Sequence, residues 1–329
     1  MKQKENAPTM KDVAREAGVA LGTVSKVFNN IPVGEDYRRR VEEAAKRLGY
    51  QVNSYARGLK TNRTYSAALI LPDVTNPFFS MLAQEICSVL SQKGYRTILS
   101  TTAYDRSAEQ RCIQMVQQNK VDGIIGLTYN PDLKVDPQLP YVSIDRYFSP
   151  NVPCVASDNF GGGQLAAEKL LELGCKRPLF LRIGSKVPGE SDKRGDGFAS
   201  ACRQRGIDCT SLRLCDEEGY APFREFLSGH MDRGRLAFDG IFCATDALAV
   251  RIRPMLSELS LRVPEDVQLI GFDGIRRFAE DGYHCSTIVQ PIARIAETSV
   301  ELLLREDRSN LPSLVCLPVS YAFGGTTKE

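Results

Sequence analysis

From Thr9 to Asn29 the apolar positions repeat at helical spacing and are interrupted once, at a glycine. Val13, Ala14 and Ala17 line one face after Thr9, whose hydroxyl can cap a first helix while Asp12, three residues on, favours its positive end. Gly18 can take the left-handed conformation that ends this helix, and Val19 can point back into a small core. Thr23 to Asn29 then predicts a second helix with Val24, Val27 and Phe28 inward. The spacing is that of a helix-turn-helix, whose second helix fits the B-DNA major groove. Leu21, Gly22, Thr23, Ser25 and Lys26 are its available contacts. Thr23 and Ser25 can bond base edges or phosphates, Lys26 can do either, and Leu21 can meet a thymine methyl. Gly22 offers no side chain. The competing reading is a helical bundle that merely solubilises an enzyme.

A third helix is predicted over Glu35 to Leu48, with Tyr37, Val41, Ala44, Ala45 and Leu48 as its apolar stripe and Arg38, Arg39, Arg40, Lys46 and Arg47 open to water or phosphate. Residues 1–63 carry 13 Lys plus Arg against 7 Asp plus Glu, whereas the rest carries 29 against 33. The whole-chain net charge of +2 hides that asymmetry, which suits a small module approaching the DNA backbone on a larger one that does not. Residues 49–64 read as a polar connector. Ala56, Arg57 and Leu59 can form a short helix there on binding DNA, with Leu59 as a minor-groove wedge; the bland alternative is a flexible linker.

From residue 65 the period shortens. AALILPD (67–73), YRTILST (95–101), GIIGLT (123–128) and YVSID (141–145) read as short buried strands, with helices over Met81 to Leu90 and Glu109 to Gln118. RPLFLRI (177–183), CTSLRLC (209–215), GIFCAT (240–245) and VQLIGFD (267–273) repeat the pattern, with helices beginning near Gly163, Arg194, Tyr220 and Leu248. Two open parallel sheets follow, their carboxyl-end loops facing a shared cleft. Asp73, Asp145, Asp158, Arg194, Thr245, Asp246 and Asp273 fall at those ends, with aromatic candidates Phe78, Phe79, Tyr147 and Tyr220. Such a mixture binds a small polar ligand by its edges and its apolar face, although each aspartate has a cap or a turn as its alternative role.

At 329 residues and 43% hydrophobic, the chain can build two or more domains. It opens on no apolar signal segment and has no membrane-length apolar run, so no membrane partner and a cytoplasmic location are expected. Ten cysteines occur without a CxxC pair, and they read as reduced small hydrophobes, with Cys209 and Cys215 able to meet if the strand between them turns back. His230 and His284 lie far apart, and neither a GKS/T phosphate loop nor GxSxG occurs. No enzyme chemistry, metal or cofactor is expected.

The order of these segments resembles the LacI/GalR family of bacterial transcription repressors from Thr9 to about Phe323. The motifs that carry it are MKDVAREAGVALGTVSKVFN, RLGYQVNSYARGLKTNRT, ILPDVTNPFF, DGII, SIDR, VASDNFGGG, RGDGF, CATDALA, LIGFDG and STIVQPI. The resemblance implies a homodimer that reads a nearly palindromic double-stranded operator, hinge helices that insert paired leucines into the minor groove, and a core that responds to a small effector. It places recognition at Leu21, Gly22 and Lys26 and the hinge at Asn53, Ala56, Arg57 and Leu59. It places the effector at Phe78, Phe79, Asp145, Arg194, Tyr220, Thr245, Asp273 and Gln290.

Two positions depart from the family pattern. Ala20 stands where a serine or threonine cap is usual, and Val52 replaces the proline common before the hinge asparagine. The expected architecture is α/β: a helix-turn-helix head (1–50), a hinge (51–64), and a two-lobed periplasmic-binding-protein-like core of parallel sheets. The lobes span 65–160 with 291–318, and 161–290, and 319–329 form a tail. The expected function is a sequence-specific DNA-binding regulator, a repressor, answering to a sugar or sugar derivative, with a nucleobase as the alternative ligand. A sugar-binding protein of transport or sensing type is the alternative function.

Overall fold

A computed structural model describes residues 8–28, 31–50, 63–118, 121–130, 132–147, 149, 151–186, 189–277 and 282–329. The hinge positions Asn53, Ala56, Arg57 and Leu59, and Val52 beside them, lie outside the described residues. The chain divides into two units, residues 1–65 and 66–329.

The first unit contains α1 (Met10–Ala17), α2 (Leu21–Phe28) and α3 (Glu35–Leu48). Thr9 caps α1 through a reciprocal pair. Its hydroxyl accepts from the Asp12 N–H at 3.4 Å, and the Asp12 carboxylate accepts from the Thr9 N–H at 3.0 Å. Gly18 closes the helix at φ 59°, which an L side chain rarely adopts. Val13, Ala14, Ala17, Val24, Val27, Val41, Ala44 and Ala45 form the core, and Phe28 meets Tyr50 in a tilted contact at its edge, ring centroids 5.4 Å apart. Tyr37, expected on the inner stripe of α3, is instead exposed on its outer side.

The second unit holds two six-stranded sheets. One runs β13 (Leu314–Leu317), β5 (Cys154–Ser157), β4 (Tyr141–Ile144), β3 (Gly123–Gly126), β1 (Ser66–Leu71), β2 (Arg96–Thr101). The other runs β14 (Ser320–Ala322), β12 (Ser286–Val289), β11 (Gln268–Asp273), β10 (Gly240–Cys243), β6 (Pro178–Gly184), β7 (Thr210–Cys215). A small hairpin, β8 (Met231–Asp232) and β9 (Arg235–Leu236), stands apart. All six residues of β1 and of β11 are buried, as strands covered on both faces must be.

The helices of the first lobe are α4 (Pro77–Gln92), α5 (Arg106–Gln118) and α10 (Ile292–Leu304). Those of the second are α6 (Asn159–Glu172), α7 (Lys193–Gln204), α8 (Ala221–Gly229) and α9 (Asp246–Glu258). The pairings are parallel except β12 with β14 in this lobe and the hairpin, and strand order reverses at β1 and at β6. Such reversals open a crevice at the carboxyl ends of the strands.

The chain passes between the sheets three times, around Asp158, at Gln290–Pro291 and at Pro318–Val319. Residues 319–329, expected as a tail, instead supply β14 and bury Thr326 and Thr327, whose hydroxyls bond Leu269, Ser286 and Tyr321. Cys209 and Cys215 do not meet. The straight strand β7 holds them about 20 Å apart at ~3.3 Å per residue, and Cys209 packs beside Cys202 of α7. No helix among the described residues is long and apolar enough to cross a membrane.

Candidate DNA-reading helix and effector cleft

On α2 the outward residues are Leu21, Gly22 and Lys26, while Thr23 and Ser25 are half-buried. Val24 and Val27 point the other way, into the core, so periodicity alone turns the contact set outward. Ala20 leaves α2 without a side-chain cap; only its carbonyl serves, accepting from the N–H groups of Thr23 at 2.9 Å and Val24 at 3.3 Å. The arginine run on α3, expected to be open to phosphate, is largely engaged. Arg39 bonds Asp36 at 2.7 Å, Arg38 lies 4.0 Å from Glu42, and Arg40 donates to the carbonyls of Ala17 and Gly18. Arg40 thus straps the end of α1, satisfying carbonyls that no helical N–H can reach.

In the second unit a cavity of 250 Å³ opens where the strand ends of both lobes converge. Phe78, Phe79, Asp145, Arg194, Tyr220, Thr245 and Asp273 all line it. Asp145, Tyr220 and Thr245 stand one to a few residues beyond a strand and Asp273 ends β11, whereas Phe78 and Phe79 enter from the first turn of α4 and Arg194 from the first turn of α7. Larger cavities of 640 Å³ at Leu133–Pro153 and Arg308–Pro312, and of 450 Å³ along α9, lie away from these residues. Size does not pick the site; convergence of polar groups does.

The floor of the cleft is one polar chain running between the lobes. Asn159 donates to Asp145 at 3.1 Å and accepts from Arg194 Nε at 2.7 Å. Arg194 Nη1 donates to the Ala244 carbonyl at 2.6 Å and lies 3.5 Å from Asp273, whose same oxygen accepts from Gln290 at 2.8 Å. Gln290 in turn accepts from the Ser157 hydroxyl at 2.7 Å. Gln290 therefore differs from its expected place: it sits behind Asp273 at a crossing and not on the cavity wall. Thr245 spends its hydroxyl on the N-cap of α9, accepting from Leu248 at 3.2 Å.

Asp145 and Asp273 both adopt positive φ, 55° and 132°, at the ends of β4 and β11. Burial raises Asp145 above the usual carboxylate range, against the pull of Arg194 and of the Asn159 bond. Burial likewise pushes Asp273 up to about 7, Arg194 opposing and Asp246 and Asp145 adding to the rise. Of the other strand-end aspartates, Asp73 folds the loop before α4, Asp158 caps α6, and buried Asp246 accepts from Ile275 and Thr287. Tyr147 is exposed and lies off the cavity wall.

Sequence reading missed Asn76, Tyr104, Tyr129, Arg146, Arg182 and Asp216 on the wall and Asn159 on the floor. The rule that found Asp145 also reaches them, since most stand at or just beyond the carboxyl ends of β2, β3, β4, β6 and β7.

Residues 9–53 match the description "Bacterial regulatory proteins, lacI family", and residues 64–303 match "Periplasmic binding proteins and sugar binding domain of LacI family". The chain belongs to the LacI family. Similar curated LacI-family relatives include a sucrose operon repressor from Pediococcus pentosaceus, 33% identical over 97% of this chain and 99% of that one. A ribose operon repressor from Halalkalibacterium halodurans is 33% identical over 91% and 90%. The structure of the lac repressor dimer bound to operator and the anti-inducer ONPF shares the fold, with a TM-score of 0.79 and 23% identity over 98% and 99% of the two chains. This LacI-family protein is a DNA-binding repressor that responds to a sugar-like effector, and not an enzyme.

Proposed function

We propose that this LacI-family repressor works in the cytoplasm as a homodimer. Leu21, Gly22, Thr23, Ser25 and Lys26 meet the operator, with Asn53, Ala56, Arg57 and Leu59 as the hinge contacts. A small neutral polyhydroxylated ligand between the lobes alters that binding. The observation that carries the reading is the chain Asp145–Asn159–Arg194–Asp273–Gln290, which spans the two lobes and turns buried carboxylates toward the cavity. Sugar hydroxyls both donate and accept, so they suit a site where carboxylates accept and a guanidinium donates. Phe78, Phe79 and Tyr220 supply apolar faces for a ring.

A ligand held by residues of both lobes changes their relative angle, and through it how paired heads meet DNA, when its affinity differs between the two arrangements. A thermal-shift screen of neutral sugars, sugar phosphates and purines, followed by operator titration with each hit, tests this. A stabilising neutral sugar that shifts operator affinity is expected. A tightly bound sugar that leaves operator affinity unchanged refutes the coupling, and a purine as the sole hit refutes the ligand class.

A further inference from the structure

The two relatives above are named for operons of sugars of different size, sucrose and ribose, and each is 33% identical to this chain. The cleft itself discriminates between them. Strand order puts the crossings and the Ser157–Gln290 bond on one side, so the deep end of the cavity is closed by the floor chain. The opposite side lies between the outermost strands, β2 and β7, whose carboxyl ends carry Tyr104 and Asp216. A ligand longer than one ring must extend that way.

Tyr104 stands in this mouth and is held there. Ala103 and Tyr104 are consecutive non-glycine residues with left-handed backbone, φ 49° and 62°. Such strain persists only where its surroundings over-determine it. The restraints are visible: Thr102 and Ala103 donate backbone bonds to Leu71 at 3.1 Å and Pro72 at 2.8 Å, latching the turn to the end of β1. The Tyr104 hydroxyl donates to Asp73 at 2.8 Å, and the other Asp73 oxygen accepts from Thr75 and Asn76, folding the loop that presents Phe78 and Phe79. The ring meets Tyr129 edge-on, centroids 5.2 Å apart, and the Arg146 guanidinium lies 4.1 Å over the Tyr129 ring. Asp216, from the other lobe, is near enough for its charge to help raise the Tyr104 phenol, behind burial and the Asp73 bond.

We infer that the effector is a single neutral sugar ring, and that Tyr104, propped by Asp73 and Tyr129, is the residue that excludes a second ring. The inference rests on the sugar-effector reading. The 250 Å³ cavity falls below the about 300–1,000 Å³ of pockets for drug-sized ligands, so it holds one ring. The guanidiniums beside it are also engaged, Arg182 with Asp192 at 2.7 Å, Arg194 with Asp273 and Asn159, and Arg146 with the Tyr129 ring. The carboxylates of Asp145, Asp216 and Asp273 share the same wall, so the site favours a neutral ligand over a phosphate.

Calorimetry on the full-length wild type, Tyr104→Ala and Tyr104→Phe tests the inference, with D-ribose, D-xylose, D-glucose, D-fructose, sucrose, cellobiose and D-ribose 5-phosphate as probes. The wild type is expected to prefer one of the monosaccharides over both disaccharides by at least about a hundredfold, since a rigid wall rejects what it cannot contain. Tyr104→Ala should cut that preference at least about tenfold, a change of about 1.4 kcal/mol, while Tyr104→Phe, which keeps the ring and its Tyr129 contact and loses only the Asp73 bond, should cut it less. Sucrose or cellobiose binding the wild type as tightly as any monosaccharide overturns the single-ring inference and leaves the sugar reading standing. A preference for the sugar phosphate overturns the neutral-ligand part. An unchanged preference in Tyr104→Ala removes Tyr104 as the wall, and no binding of any sugar defeats the underlying reading instead.

Discussion

The head keeps the side chains proposed to meet DNA outside its core, whereas the cleft buries those proposed to meet its ligand. Leu21, Gly22 and Lys26 stand in solvent on a helix whose other face is Val24 and Val27. Arg194 and Asp273 are 3% and 5% exposed, and they reach each other from α7 and β11. A partner as large and as charged as DNA comes to an exposed face and is held by a surface term that salt weakens. A small ligand offers few atoms, so its site must exclude water and aim preset dipoles, which places charges where they are costly unless paired. Substitutions on the outer face of α2 should therefore change DNA binding with little effect on folding. Those on the cleft floor should change both binding and stability.

The largest effect expected is that of Arg194→Ala. It leaves Asp273 and Asp145 buried without their guanidinium, a loss that should destabilise the core by about 3–5 kcal/mol and abolish effector binding. Urea unfolding followed on the core, with calorimetry of the best sugar, reads both. A variant with wild-type stability and affinity would erase the distinction between the two regions.

Lys26→Ala should cost only operator affinity, leaving the effector constant and the core transition alone. A phosphate contact predicts a uniform loss and a salt slope smaller by about 1; a base contact predicts about 1–3 kcal/mol of relaxed preference at one operator position. Titrations over several salt concentrations with single-base operator variants separate the two. Unchanged binding to every operator removes the residue from the interface.

The cleft should also respond to pH where the head does not. Asp273, near 7 through burial, and Asp145, raised by burial, keep protons that the unfolded chain gives up at about 3.9. The folded state then binds more protons, so this contribution to stability falls as pH climbs from about 4 to about 7 and is level above that. Sugar hydroxyls donating to these groups favour their ionised forms, so effector affinity should fall below about pH 7 and binding there should release protons. Calorimetry near about pH 6 in two buffers of different ionisation enthalpy measures that release. Heats that do not depend on the buffer would show that neither carboxylate receives the ligand.

The smallest effect belongs to the cap of α1. Thr9→Ala removes an acceptor for the Asp12 N–H and should lower the stability of the head by about 1 kcal/mol, within a range of about 0.5–2. A thermal melt of the head's helical signal reads it, and a shift in effector affinity would contradict the independence of the two regions.

Most of the secondary structure was legible because its causes are local. Thr9, Asp12 and Gly18 bound α1 in sequence as they do in space, and α3 spans the residues its stripe predicts. The eight longer apolar runs became strands. Six strands were missed: β8 and β9 are a two-residue hairpin, and β5, β12, β13 and β14 adjoin the crossings between sheets, where no run of apolar residues stands out from its neighbours. The cleft was half legible. Asp145, Arg194 and Asp273 follow from strand ends and from family likeness, but Tyr104 and Asp216 meet at one cavity from different lobes, and 112 positions separate them in the sequence.

By itself the sequence determined which residues sit on which face, because helical and strand periods are set by backbone geometry within a few residues. It also determined where α1 and α3 start and stop, though not α2, which begins at Leu21 and not at Thr23, and that basic charge gathers before the core. Only the tertiary structure decided that Arg40 straps α1, that Gln290 stands behind Asp273, and that the last residues close the second sheet with β14. It alone decided that a strained Tyr104 fills the mouth of the cleft. Each of these depends on which distant groups need a hydrogen-bond partner when both are withdrawn from water. That need is met across the fold and leaves no period along the chain.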